Sequence, residues 1–265
     1  FPYATNAEGT STARVKSFDS DGFTVGTSGA TNGGSDTYVA WCWKESVTAG
    51  MDIVKFTGNQ TARTISHSLS AKPEWLWIKN REKVESYHMQ HGGAGADNTQ
   101  ESNTNGAFGG GSTIWNDTEP TTSVFSVGNN GNINETGSDI VVWLWAGKQG
   151  YSKFGTYTGN GNADGPFIHL GFKPAFLMYK SRDAVKSWYI NDNKRDPHNP
   201  CDGVMLMDAS DAENASHGNK IDFLSNGFKS RSTGSTVNSS GAVYVYMAFS
   251  ESPFVNSKGV PTNAR

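Results

Sequence analysis

Apolar residues along the 265-residue chain fall in short runs bounded by Gly, Asn, Ser or Pro and rich in Val, Ile, Trp, Tyr and Phe. That is the chemistry of β-strands. In Trp75 to Lys79, alternation puts Trp75, Trp77 and Lys79 on one face and Leu76 and Ile78 on the other. Both faces begin apolar, which predicts a central strand covered on both sides, and Trp143-Leu144-Trp145 reads the same way. Pro73 and Pro174 stand at strand starts, where a missing N–H is tolerated. Gly131 and Gly227 stand where hairpins are expected to need a positive φ. No segment holds a 3.6-residue period for a full helix. Asp208 to Lys220 is the strongest helical stretch, and it predicts at most a short turn.

The runs repeat. Thr57-Gly58-Asn59 returns as Thr158-Gly159-Asn160, an offset of 101. At the same offset Lys72-Pro73 through Lys79-Asn80-Arg81 falls on Lys173-Pro174 through Lys180-Ser181-Arg182, and Ser86-Tyr87 on Ser187-Trp188. A second motif occurs three times. Phe23 to Gly26 precedes Tyr38 to Trp43, Phe125 to Gly128 precedes Ile140 to Trp145, and Phe228 to Ser230 precedes Tyr244 to Phe249. Gly/Asn/Ser turns separate the halves of each copy. The expected organisation is therefore a half repeat over 1–49, full repeats over 50–148 and 149–252, and a tail over 253–265. The half repeat is completed either by residues 1–17 or by chain upstream of Phe1. The fold class expected is all-β, as tandem antiparallel β-sandwich modules of about 100 residues. The loop Gly106 to Gly111 and its charged counterpart Asn191 to Asp202 differ between copies, so any repeat-specific function is expected on them.

Composition narrows the classes. Only 18% of residues are charged and the net charge is −3, with no Lys/Arg cluster, which argues against a nucleic-acid partner. The longest apolar run, Ala242 to Phe249, is far short of the roughly 20 residues a spanning helix needs, so no membrane insertion is expected. No basic segment leads into an apolar stretch at the start of these residues, so no signal peptide is visible. Cys42 and Cys201 do not make a disulfide framework, and Cys42, between Trp41 and Trp43, reads as a free buried thiol.

Candidate chemistry is sparse. No nucleophile-elbow, zinc-helix or phosphate-loop motif occurs, and no enzyme, cofactor or metal site is expected. Asp19-Ser20-Asp21-Gly22 resembles the start of a calcium loop but lacks its later acids, and reads as a turn. His88 and His91 point to opposite faces of a strand, and Asp192, Asp196, His198 and Asp202 could line one loop around a divalent cation. Five Asn-x-Ser/Thr sequons, at Asn59, Asn116, Asn134, Asn214 and Asn238, carry little weight in so Asn-rich a chain. The remaining candidates are ligand-binding: Tyr87, Trp188 and Tyr189 to stack on sugar rings, with Arg81 and Arg182 for hydroxyls. Their recurrence at one site in both repeats favours a packing role.

The assembled motifs resemble a known family. They run Phe-x-x-x-Gly-Phe-x-Val-Gly, Asn-Gly, Tyr-Val-Ala-Trp-x-Trp-Lys, Thr-Gly-Asn, a histidine–leucine step, Lys-Pro and a strand ending Lys-x-Arg. They cover Phe18 to Lys44, Thr57 to Arg81, Thr158 to Arg182 and Tyr244 to Pro253. The pattern is similar to the repeated C-terminal domain, of unassigned function, in virion structural proteins of tailed, often marine, phages. The end Phe254 to Arg265 resembles the natural C-terminus of such proteins. The chain departs from the pattern at the histidine loop, where His67 lies five residues before Lys72 and His169 four before Lys173, and at Tyr246-Met247. The resemblance implies a virion location on tail or capsid exterior. It implies a tail-fibre or spike tip acting in host attachment, with a capsid decoration protein or a module for host-surface polysaccharide as alternatives. Its partners would be further copies of itself, a trimer first, and other virion proteins.

Overall fold

The structure, a computed structural model, describes residues 3–251. It is mostly strand, in antiparallel sheets, as the alternation predicts. The expected tail over 253–265 lies outside the described residues. Among the described residues no helix is long and apolar enough to cross a membrane.

The chain opens with a hairpin of β1 (Val15–Phe18) and β2 (Phe23–Val25), closed by a turn in which the Asp19 N–H donates to Gly22 O, and a one-turn helix α1 (Gly29–Asn32). Then follow β3 (Met51–Thr57), β4 (Arg63–Ser66), β5 (Trp75–Asn80), β6 (His88–His91), β7 (Asn98–Glu101), β8 (Gly109–Gly110), α2 (Ser112–Trp115), β9 (Val124–Val127), α3 (Gly131–Asn134) and β10 (Asp139–Trp145). The last stretch holds β11 (Ser152–Thr158), β12 (Phe167–His169), β13 (Pro174–Ser181), β14 (Tyr189–Asp192), β15 (Met205–Leu206), β16 (Ile221–Leu224), β17 (Gly227–Ser230) and β18 (Val243–Ser250).

Two large sheets run in the orders β3-β10-β5-β6-β7-β8 and β11-β18-β13-β14-β15, and small sheets pair β4 with β9 and β12 with β17 and β16. Residues matched by the sequence repeat hold the same places. Trp145 pairs with Met51 and Trp75, and Phe249 pairs with Ser152 and Phe176. Ile65 faces Phe125, and Ile168 faces Phe228.

The pleat sorts side chains into three apolar clusters. Leu76, Ile78, Ile140, Val142 and Leu144 point to one side of the first large sheet and pack with Phe125, Val127 and Trp115. Leu177, Tyr179, Tyr244, Tyr246 and Ala248 do the same in the second, against Phe223 and Phe228. The opposite faces of both large sheets meet each other through Trp75, Trp145, Phe176, Met178, Met247 and Phe249. The expectation for Trp75 to Lys79 therefore holds: β5 is central, with buried residues on both faces.

One polar device recurs. Asn134 donates to Gly128 O (2.7 Å) and Thr61 O (2.9 Å) and accepts from the Asn59 N–H (3.1 Å). Asn238 donates to Ser232 O (2.8 Å), Asn162 O (2.7 Å) and Asn160 Oδ1 (3.0 Å) and accepts from the Asn160 N–H (2.8 Å). Each is fully buried and ties a Thr-Gly-Asn loop to the turn before the last strand of its large sheet. The glycine of that loop is required by close approach: a Cβ on Gly58 or Gly159 would collide with the carbonyl oxygen of Glu135 or Ser239.

Several expectations change. Tyr38 to Trp43, matched in sequence to β10 and β18, joins no ladder. Asp208 to Lys220 forms no helix, within the expected limit of a short turn; among the described residues the one-turn helices are α1, α2 and α3, two of them capped by Ser28 and Asn130 side chains at Asn/Gly-rich sites that read as hairpin turns. Neither Gly131 nor Gly227 has positive φ. Gly131 starts α3, and Gly227 is needed because a Cβ would strike Ile168 O. Cys42 is exposed, and Cys201 is the buried thiol; both are free.

Candidate functional site

Although Tyr38 to Trp43 is not in a sheet, it keeps a strand's alternation. Val39, Trp41 and Trp43 are partly covered, while Tyr38, Ala40 and Cys42 face outward. The two tryptophans lie across the seam between the large sheets. Trp41 sits edge-on to Phe176 (5.5 Å between centroids), and Trp43 contacts Trp145 (6.3 Å), Phe176 (5.6 Å) and Phe249 (5.5 Å). Such edge-to-face pairs add about 0.5–1.5 kcal/mol beyond burial. Trp41 is also held by its indole N–H, which donates to Asp192 Oδ2 (3.2 Å), and Asp192 is paired with Arg195 at 2.6 Å.

Beside these rings lies an open apolar pocket of about 460 Å³. Its walls are Trp41 and Trp43, Trp77 and Trp145 of the first large sheet, Phe176, Met178 and Met247 of the second, and the segment from Met205 to Asp211. Methionine lets such a wall adapt to its occupant. The indole N–H groups of Trp77 and Trp145 have no acceptor, and a buried donor left unpaired costs about 1–3 kcal/mol. The pocket can take apolar or aromatic groups. Sequence reading missed it because its walls come from distant segments; the Met205–Met207 cluster and the doubled tryptophans were the signals available.

The candidate sugar-binding residues are dispersed. The Trp188 ring is completely buried, packed on Trp75 (5.6 Å) and Phe108 (5.9 Å), with the Lys180 ammonium 5.9 Å away. Tyr189 stacks on Tyr179 at 5.7 Å in the core. Neither offers a ring face to a sugar, which corrects that expectation. Tyr87 is half-buried, in tilted contact with Trp77 and Trp143 and 5.6 Å from the Lys79 ammonium. Arg81 pairs with Glu8 and lies 3.5 Å from Asp139. Arg182 pairs with Asp183 at 2.6 Å, and both line a polar cleft of about 320 Å³ with Asp97 and Asn98.

The repeated lysines are posts inside the fold. Lys79 Nζ donates to Lys83 O (2.8 Å) and Thr5 O (3.4 Å), and Lys180 Nζ donates to Lys186 O and Asn105 O (3.0 Å). Burial pushes both ammonium groups down, Lys180 to about 8. Each crosses its hairpin and reaches a loop from the preceding repeat.

The other candidates are similarly occupied. The loop acids cap backbone: Asp196 accepts from the Asp202 and Gly203 N–H groups, at 2.8 and 3.1 Å. Among the described residues no three His, Cys, Asp or Glu side chains converge on a point. His88 and His91 are both buried. His91 Nδ1 accepts from the Gly93 N–H (2.9 Å), so its Nε2 carries the proton and donates to Tyr246 O (3.2 Å); burial pushes its pKa down to about 4. The Cys201 thiol is pushed up to about 12 by burial. Asn134 and Asn238 are fully buried, so those sequons offer no side chain to a glycan.

A family model described as a domain of unknown function, DUF7483, matches residues 1–253, and the chain belongs to that family. No curated protein and no solved structure matches.

Proposed function

We propose that this DUF7483 protein is built of tandem antiparallel β-sandwich units of about 100 residues and is a non-enzymatic structural part of a phage virion. Its most direct role is the distal part of a tail fibre, spike or similar appendage acting in host attachment. The unit reading draws support from matching registers, Met51 with Trp145 and Ser152 with Phe249, and from a small sheet facing each large one across its own cluster.

One observation carries the structural role. Polar residues that recur at matched positions in both repeats lock the scaffold. Lys79 and Lys180 brace hairpins, and Asn134 and Asn238 tie loops to turns. Sites built for turnover keep such groups in a cleft with perturbed acids and bases facing a substrate; here they face backbone carbonyls. The virion role itself comes from the motif resemblance.

Gold-labelled antibodies against the chain, applied to intact phage particles, test the reading. Label at fibre or spike tips is the expected result. Label spread over the capsid moves the protein to a decoration role, and particles without label refute a virion location. Light scattering on the purified chain checks the expected trimer.

A further inference from the structure

Residues 3–32 repeat several backbone bonds of the middle of the first full repeat, although the β1–β2 ladder has no counterpart there. Glu8 N–H donates to Arg81 O (2.6 Å) as Phe108 N–H does to Arg182 O (2.9 Å). Gly26 N–H donates to Arg14 O (2.5 Å) as Gly128 N–H does to Ile114 O (2.7 Å), and Ser28 and Asn130 donate to Ala13 O and Thr113 O. Thr5 O receives Lys79 as Asn105 O receives Lys180. Residues 3–17 thus stand where 103–117 stand, and they do not supply the front of the unit. The described chain has three back halves, each ending in the aromatic strand motif, and two front halves, β3 to β7 and β11 to β15.

The back half without a front half exposes what the other two bury. Phe23 is 39% exposed, against 1% and 0% for Phe125 and Phe228. Tyr38 is 51% exposed, against 0% for Ile140 and Tyr244, and Phe18 is 89% exposed, against 5% for Phe223. Cys42 faces solvent where Leu144 and Ala248 are buried. Asn32 makes the first bond of the asparagine lock, to Gly26 O at 2.9 Å, and is exposed where Asn134 and Asn238 are enclosed. Meanwhile the outer face, Trp41 and Trp43, is already docked on both large sheets, and the apolar pocket lies beside it.

We propose that residues 3–44 are the back half of a third unit and that their open face binds a front-half segment of this repeat. That occupant is a polypeptide of the form strand, Thr-Gly-Asn, strand, Lys-Pro, strand. The two full repeats show the fit. Its Thr-Gly-Asn backbone N–H meets the Asn32 side chain, its first and third strands flank Tyr38 to Trp43, and the third strand's aromatic residues enter the pocket between Trp43 and Met205. A second copy of the chain is not a balanced donor, because giving up a front half would open one of its own units. The inference rests on the unit part of the reading above and not on its virion part.

The test places residues 50–102 directly ahead of Tyr3 in the full chain, the junction that the offset of 100 between Tyr3 and Asn103 prescribes. The rate of Cys42 labelling by a maleimide is then compared with that of the unmodified chain. Enclosure at the Leu144 position is expected to slow labelling at least about tenfold. A smaller change overturns the proposal. A graft carrying Gly58→Val, which cannot approach the turn carbonyl, is expected to label at the original rate; equal protection in that variant also overturns it. Hydrogen exchange in the same samples separates the two levels. Protected β10 and β18 with reactive Cys42 defeats the third unit alone, whereas unprotected β10 and β18 defeats the unit reading itself.

Discussion

Replacing the recurring asparagine by alanine removes a lock of known composition, and the three copies differ in how much of it they have. Asn238→Ala deletes two N–H donors shared among three oxygens, and one accepted bond, inside a fully buried site. At about 1 kcal/mol net per bond, with partners left partly unsatisfied, the loss is about 3–4 kcal/mol. Asn134→Ala deletes two donated bonds and one accepted bond, for about 3 kcal/mol. Asn32→Ala deletes one bond at an exposed site, for about 0.5 kcal/mol or less. Urea titration followed by tryptophan emission reads the order directly, and in calorimetry each kcal/mol moves Tm by about 2–4 °C for a chain near this size. If Asn32→Ala costs as much as Asn134→Ala, the lock is not what distinguishes the copies, and the reasoning fails.

Other outcomes follow from the same geometry. Trp188→Ala empties a fully buried ring site and is expected to cost about 3–5 kcal/mol in urea titration, with Tyr87→Ala costing clearly less because its ring is half-exposed. Because burial lowers the pKa of His91 from 6.5 to about 4, the unfolded chain binds the extra proton between those values. Stability present above pH 6.5 is therefore lost as pH falls toward 4, by up to about 3 kcal/mol, and His91→Gln should flatten that part of a pH–stability profile. A disulfide-exchange thiol reagent should titrate one thiol in the native chain, Cys42, and the second only after unfolding, since Cys201 is buried and its pKa is raised to about 12. Gly159→Ala should destabilise by forcing a Cβ onto Ser239 O, whereas Gly131→Ala, inside α3 with only the Gln60 side chain near, should be neutral or stabilising by about 0.5 kcal/mol in thermal melts.

The strands were legible because period-two alternation and the repeat point to the same elements. Trp75 to Lys79 could be assigned to a central strand, with its two faces named, from the residues alone. What escaped depends on tertiary context. Tyr38 to Trp43 has the aromatic pattern of β10 and β18, yet it forms no ladder, because a strand needs neighbours and none flanks it among the described residues. That also inverted the expectation for Cys42. Lys79 and Lys180 look like surface residues by type; only their recurrence hinted at a structural duty, and their burial follows from carbonyl acceptors supplied by loops 74 or 75 residues away in sequence. Asn134 and Asn238 read as sequons because no local signal separates a buried asparagine lock from a glycan acceptor. The apolar pocket was invisible because Trp41, Trp77, Phe176 and Met205 meet only in space.

Native-state hydrogen exchange across the three copies of the aromatic strand motif tests the central claim most directly, namely that one motif becomes a strand only where a front half encloses it. Amides in Ile140 to Trp145 and Tyr244 to Phe249 are expected to exchange only through large-scale unfolding, and those in Tyr38 to Trp43 at rates close to those of loops. Protection of Tyr38 to Trp43 equal to that of the other two copies would contradict the account.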